Sequence, residues 1–515
     1  MTPTRNTRRA ERTHCASTRR AVAWVAAAAA AVCSIGLAAR ADFKDPAPPV
    51  AAALPAAPAP AAQPNPDATV HGRPKPLPAG AVTSDWVAFL GPNHNLVSPE
   101  TKLAAAWPAA GPRAVWEAKK GQGYAAPAVV GDRLILFHRL GDNDTIDCLH
   151  RETGARFWRA GHPTAYHDRY GYSDGPRASP VVAADAGLVF VQTNEGKLIC
   201  LELATGRQAW ARDLKKEFKL KPGFFGLGAT PLVEGGKLIV NVGAEPDGPC
   251  VAAFDLATGK MLWGAGKHWG MSYASPVAAT VHGKRRVFVF AGGETDPGEP
   301  VTGGLLCIDP ETGNVDFTEA WRGDRRESVN ASAPLVIGNR VLVSECYGAG
   351  GLMLEVTPDF KAKRVWSNEK FGTHFMVALH QGSGGGDGYL YGVDGHGPAD
   401  ADLVCVDAAT GKEQWRTQPE WKEKVGERNL TMGTYRAHLL AADGQVLMLG
   451  EFGHLLRVGL SPKGVEVKQR AWLFGASETW TPPVLSRGLL YVCQNNPDRV
   501  GKAEPRVICY DLRGE

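Results

Sequence analysis

Eight residues of the kinds that hold small molecules recur in one setting: Tyr124, Arg177, Tyr273, Asn330, His374, Arg436, Glu478 and Trp480. Each stands a few residues ahead of a β-rich run, most of them marked by a small residue followed by proline. Arg177 and Arg436 could meet an anion, because a guanidinium pairs with carboxylate or phosphate in a planar fork. The tyrosines and Trp480 offer faces for a flat ring. Glu478 and Asn330 carry the oxygens a hard cation prefers. The set lacks a persuasive general base, and plain hydrogen bonding around a rim is the competing reading. Catalytic motifs are missing elsewhere. The chain has no Walker loop, no His-Glu-x-x-His, no Gly-x-Ser-x-Gly and no Cys-x-x-Cys-His. His162, His167 and Asp168, beside Tyr166 and Tyr170, read as a solvated loop, with a metal site as the other reading. Gly382-Ser383-Gly384-Gly385-Gly386 precedes a strand, so it is a loop and not a phosphate cradle.

Such residues need a scaffold, and the scaffold is written in repeats. Thr153-Gly154, Thr205-Gly206, Thr258-Gly259, Thr312-Gly313 and Thr410-Gly411 each precede an aromatic residue by four positions from the glycine. The aromatics are Trp158, Trp210, Trp263, Phe317 and Trp415. An apolar strand ends in a tight Thr-Gly turn, and the next strand presents a large ring. Upstream of the turns lie Ala126-Pro127, Ser179-Pro180, Thr230-Pro231, Ser275-Pro276 and Ala333-Pro334, and proline at a strand start costs no ladder hydrogen bond. Three further copies are weaker, at 388–415, 445–472 and 483–511. From Pro127 to Pro483 is seven periods of about 51 residues, within the range for four-stranded propeller blades. The last copy stops after its third strand, while a spare strand, Arg113–Glu117, precedes the first. This predicts an all-β, eight-bladed propeller of antiparallel four-stranded blades, closed by N- and C-terminal strands in one blade, with seven blades as the alternative.

These Thr-Gly-x-x-x-Trp hairpins resemble the repeats of pyrroloquinoline quinone (PQQ) propellers. That superfamily includes the quinoprotein alcohol dehydrogenases and the lipoprotein propeller of the outer-membrane assembly machinery. The entry Phe89-Leu90-Gly91-Pro92-Asn93, with Val97-Ser98-Pro99-Glu100-Thr101 and Trp107-Pro108, is similar to exported PQQ-like propeller proteins. The resemblance spans roughly 85–515 and is specific for fold; fold alone does not assign function. It implies PQQ with Ca²⁺ as a cofactor to test at the eight residues above, the arginines holding its carboxylates and Trp480 stacking on it. The departures weigh against an enzyme. No adjacent Cys-Cys pair marks this chain, no covalent haem motif follows, and the body is shorter than those dehydrogenases.

The chain has 515 residues, 44% apolar and 21% charged, which fits a folded body and argues against disorder. Residues 1–41 hold seven Arg and one Glu; setting these aside from 57 basic and 53 acidic residues leaves a body two charges negative. No electrostatic footprint for nucleic acid remains. Arg5, Arg8, Arg9, Arg12, Arg19 and Arg20, an apolar run from Ala21 to Ala39 and the Ala39-Arg40-Ala41 site read as an export signal over 1–41. An uncleaved membrane tether is the other outcome, and both the general and the twin-arginine routes stay open. Residues 42–84 form a Pro/Ala-rich linker and 85–515 the propeller. Cys148, Cys200, Cys307, Cys405 and Cys509 share one repeat phase, so they read as buried thiols and not disulfides. Cys250, Cys346 and Cys493 are the remaining candidates for pairing. The expectation is an exported, periplasmic or envelope propeller acting as a non-catalytic scaffold, with an envelope protein or a small molecule at its axial funnel. The alternative is a PQQ- and Ca-dependent alcohol or sugar oxidoreductase.

Overall fold

A computed structural model describes residues 43–51, 57–221, 223–293, 301–325, 328–383 and 385–515. The segment 1–41 expected to be an export signal, with Cys15 and Cys33, lies outside the described residues. Eight antiparallel blades stand in a ring. Blade 1 runs outward through Ala128–Val130, Arg133–Leu140, Asn143–His150 and Arg156–Pro163. Blades 2 to 8 begin with the inner strands Val181–Ala183, Leu232–Glu234, Val277–Val281, Leu335–Ile337, Leu379–Gln381, His438–Ala442 and Val484–Ser486. Blade 8 takes its outer strand, Arg113–Lys119, from the other end of the chain; Trp116 pairs with Cys509 and Lys119 with Arg506. This is the predicted closure. A short strand, Ala68–Val70, adds to its outside. One hairpin, Glu420–Val425 with Arg428–Gly433, stands between blades 6 and 7 and has no counterpart in the repeat.

The repeated Thr-Gly and Trp signals act across blade boundaries. Trp158 Nε1 donates to the Leu203 carbonyl of blade 2 (3.0 Å), Trp210 to Leu256 of blade 3 (2.8 Å) and Trp263 to Pro310 of blade 4 (3.0 Å). Trp366 reaches Ala408 of blade 6 (3.0 Å), Trp415 reaches Ser461 of blade 7 (2.8 Å), and Trp116 of blade 8 reaches Arg151 of blade 1 (2.9 Å). Each carbonyl lies in the turn that closes the neighbour's third strand. Where that turn is Thr-Gly, the indole lies flat on the glycine. A Cβ on Gly206 would lie 2.6 Å from the Trp158 ring, and one on Gly411 2.5 Å from Trp366. The glycines also adopt left-handed φ, +73° and +70°, so both the backbone and the ring require them. Opposite four of these rings the third strand places a small residue, Cys148 facing Trp158, Cys200 facing Trp210, Ala253 facing Trp263 and Cys405 facing Trp415, whereas Met353 faces Trp366. A register shift follows that pair in every one of these blades, and bulges bend and twist a strand locally. The eight cysteines from Cys148 on are all free thiols, Cys250, Cys346 and Cys493 included.

The entry segment closes one end of the axis. Trp86 exchanges backbone hydrogen bonds with Val129 of blade 1, and the Val87 carbonyl accepts from Val182 of blade 2. Val97 and Ser98 pair in parallel with Ala441 and Ala442 of blade 7. The Ser84 carbonyl accepts from Ser486, and the Glu100 carboxylate accepts from the Gly488 amide (2.7 Å), both in blade 8. Ala88–Leu90 face Thr230-Pro231 and Ser275-Pro276 of blades 3 and 4. Residues 84–100 thus bridge opposite sides of the ring as a plug. Gly91 permits it: φ is +87°, and a Cβ would sit 2.8 Å from the buried Trp86 ring.

Candidate functional site

The other end of the axis opens as a cup of about 500 Å³, a volume typical of small-molecule sites. Phe89 of the plug lines both the cup and the small void beneath it, so the cup has a floor. Of the residues singled out from the sequence, Tyr124, Arg177, Tyr273, His374, Arg436 and Trp480 line it. Asn330 does not; its flanking residues Val329 and Ala331 do, while its amide donates to the carbonyls of Phe290 and Ala291. Glu478 stands behind the wall, where it accepts the Tyr124 hydroxyl. Burial and the neighbouring Glu478 hold that phenol well above its usual pKa.

Four elements supply what sequence reasoning overlooked. The insertion between blades 1 and 2 brings Tyr170 and Tyr172, and the loop before blade 3 brings Phe224 and Phe225. Blades 5 and 6 contribute Tyr347, Phe375 and His396. The rings contact one another: Tyr124 with Trp480 at 5.0 Å, Tyr172 with Trp480 at 5.5 Å, Tyr172 with Phe225 at 5.9 Å and Phe375 with Trp480 at 5.6 Å. No regular spacing marks these residues, because they sit in loops of unequal length. The local excess of aromatics in Tyr166–Tyr172 and Phe224-Phe225 was the one available signal.

The insertion is built around a carboxylate. Asp168, whose side chain is fully buried, accepts from the amides of Tyr170 (2.9 Å) and Tyr172 (3.2 Å) and from Arg177 Nη2 (2.6 Å). It is neither solvated nor a metal ligand here; it fixes Arg177 and the two rim tyrosines together. Arg436 is bound as tightly, with Nε 3.0 Å from Glu451 and Nη2 on the same carboxylate, and its guanidinium lies 4.6 Å from the Trp480 centroid. Trp480 Nε1 also donates to Glu451 (3.2 Å). Burial, with His396 and Arg436 nearby, pushes His374 down to about 3, and burial pushes His438 down to about 4. Both imidazoles are neutral at physiological pH.

Calcium-bound PQQ does not fit this arrangement. A tricarboxylate needs unpaired cations, and both guanidiniums already hold carboxylates. Calcium needs several converging oxygens. Asp168, Glu451 and Glu478 are each committed to a neighbour, and among the described residues no group of three or more His, Cys, Asp or Glu converges as a metal site. Asn330 and Glu478, the two oxygen donors suggested by sequence, belong to the entries of different blades. The cup can hold rings by stacking and supply neutral hydrogen-bonding groups; the described residues lining it include no free carboxylate to take a proton.

The fold is shared with solved enzymes. A europium-containing methanol dehydrogenase matches at 12% identity and TM-score 0.58, over 83% of this chain and 98% of that one. The quinohemoprotein alcohol dehydrogenase of Comamonas testosteroni matches at 14% identity and TM-score 0.58, over 85% and 82%. No curated protein matches the chain. The family model described as outer membrane protein assembly factor BamB matches residues 142–417. With more than half of its length under that model and an eight-bladed ring in which indoles cross six of the boundaries, the chain belongs to the PQQ-like propeller family.

Proposed function

We propose that the chain is an exported, non-catalytic binding scaffold of the cell envelope, which presents the aromatic cup and its rim to a small molecule or a protein partner. The observation that carries this reading is the state of the charged groups. Among the described residues every carboxylate at the cup is already engaged, so they offer neither a metal set nor a free general base. The basic leader and the Ala39-Arg40-Ala41 site support export. No helix among the described residues is long and apolar enough to cross a membrane, so a tether would have to come from the leader.

The test is incubation of the purified chain with PQQ and Ca²⁺. We expect no stoichiometric quinone spectrum and no alcohol-driven dye reduction. Turnover of either an alcohol or a sugar under those conditions would replace the scaffold by the oxidoreductase reading. That rival draws on Arg177, Arg436 and Trp480 meeting at one cup. Fractionation of the native host supplies the second check: recovery in the cytoplasm would remove the envelope assignment.

A further inference from the structure

Two imidazoles at the cup each carry a buried nitrogen without a hydrogen-bond partner. His438 opens the inner strand of blade 7 and is 2% exposed. Its Nε2 lies 2.8 Å from the Trp480 carbonyl oxygen. A carbonyl only accepts, so Nε2 carries the proton. The ring is neutral and holds one proton, which leaves Nδ1 a bare lone pair. No donor reaches that Nδ1, and it is shut off from water. His374 also has a buried Nδ1 with no partner, but its Nε2 lies 3.3 Å from the Tyr347 hydroxyl, which can donate or accept, so only the His438 tautomer is fixed. Phe375 packs against both imidazoles, with centroids 4.9 Å from His374 and 5.9 Å from His438. Buried polar atoms are nearly always matched, so the bare lone pair on His438 Nδ1 points to a missing donor.

Charge narrows the class. Arg177 and Arg436 are each neutralised by a buried carboxylate, Asp168 and Glu451, so an anion meets no net positive charge there, while Arg177 Nη1, buried without an acceptor, is open to a neutral oxygen. Arg436 already covers Trp480, so a cation gains little from that ring. We propose that the cup takes an uncharged, flat aryl compound bearing a hydroxyl, the phenol class, which turns Phe375 aside and donates to Nδ1 of His438. This rests on the binding reading above and adds the ligand's chemistry to it.

The probes are 2-naphthol, 2-methoxynaphthalene and 2-naphthoate, titrated calorimetrically into the full chain at neutral pH. They share one ring system and differ in the donor and the charge. Naphthol should bind about tenfold tighter than its methyl ether, the value of one net hydrogen bond. Naphthoate should be the weakest of the three. In His438→Phe the preference for naphthol over the ether should vanish while the ether still binds. If that variant fails to fold, the wild-type ranking decides alone. Equal binding of naphthol and ether, tighter binding of naphthoate, or no binding up to about 1 mM, near −4 kcal/mol, each overturns the proposal. Quinone-driven dye reduction is a separate measurement, so the loss of this inference would be distinguishable from the loss of the scaffold reading.

Discussion

Replacing Gly206 by alanine tests whether the indole contact, and not turn geometry alone, joins neighbouring blades. The control lies in the same blade. Gly187 has φ +65° and open space around an added Cβ, whereas Gly206 has φ +73° and the Trp158 ring 2.6 Å away. Both substitutions force an L-residue into left-handed backbone, which costs about 1–2 kcal/mol. Only Gly206→Ala must also move the ring. Carbon contacts are comfortable at about 3.5–4.0 Å, so the indole has to retreat by about 1 Å. Trp158 is 7% exposed and tethered by its bond to Leu203, so retreat overpacks the boundary and lengthens that bond. Overpacking adds about 1–3 kcal/mol and the weakened hydrogen bond about 1 kcal/mol. Gly206→Ala should therefore cost about 2–4 kcal/mol more than Gly187→Ala. Urea unfolding followed by far-ultraviolet circular dichroism reads the difference as a lower midpoint at unchanged slope. A double mutant with Trp158→Ala should lose less than the sum of the singles, because the clash partner is gone. Equal losses for the two glycines, or full additivity with Trp158→Ala, would refute the contact as the joint between blades.

Three other outcomes follow from the same structure. His438 is held neutral in the fold and regains its usual basicity when unfolded, so the unfolded chain binds more protons below pH 6.5. Its contribution to stability falls as pH drops from about 6.5 towards 4, by about 1.4 kcal/mol per pH unit. His438→Gln should lose that slope in urea midpoints taken across this range, and an unchanged slope would count against the burial of the imidazole. Asp168→Asn should cost about 3 kcal/mol, since Arg177 is left buried without its charge partner. It should also speed tryptic cleavage at Arg169, and native resistance in the variant would contradict the role given to Asp168. The thiols are raised by burial, Cys493 and Cys405 to about 11 and Cys250 and Cys148 to about 12. Of the seven buried cysteines from Cys148 on, Cys346 being only half-buried, none should react with Ellman's reagent at pH 8 until urea is added, and fast labelling of two or more would disprove their enclosure.

The ring was legible because its determinants are periodic. Thr-Gly turns and indoles serve a contact that recurs at six of the eight boundaries, so the same constraint is imposed repeatedly on one short phrase. Blade 4 substitutes Phe317, which has no N–H to donate, and its neighbour correspondingly lacks a Thr-Gly turn. Trp472 could not be sorted by spacing alone. Its indole bonds the Phe452 carbonyl of its own blade and stacks on His454 at 4.9 Å, turning inward where the others cross to the next blade. The cup was half legible. Positions just ahead of inner strands converge on the axis by symmetry, which located Tyr124, Arg177 and Trp480. Phe224, Tyr347, Phe375 and His396 come from connections whose lengths follow no period, so nothing in the spacing could place them. Asn330 and Glu478 show the converse: correct phase brings a residue to the rim but does not settle which way its side chain turns.

The blade that mixes both ends of the chain has a topological cost. Trp116 and Cys509 are adjacent in the sheet yet almost four hundred positions apart along the polypeptide. Bringing such distant segments together forfeits about 5 kcal/mol of loop entropy, more than any other strand pairing in the molecule demands. The surplus fastenings gather at that seam. Arg113 and the Lys75 amide grip Asp511, Arg513 reaches Glu152 of the adjoining blade, and Ala68–Val70 adds a further strand. Without Arg506–Asp511, which pairs on both sides, the ring would remain an unclasped arc with a bare strand edge on each side of the gap.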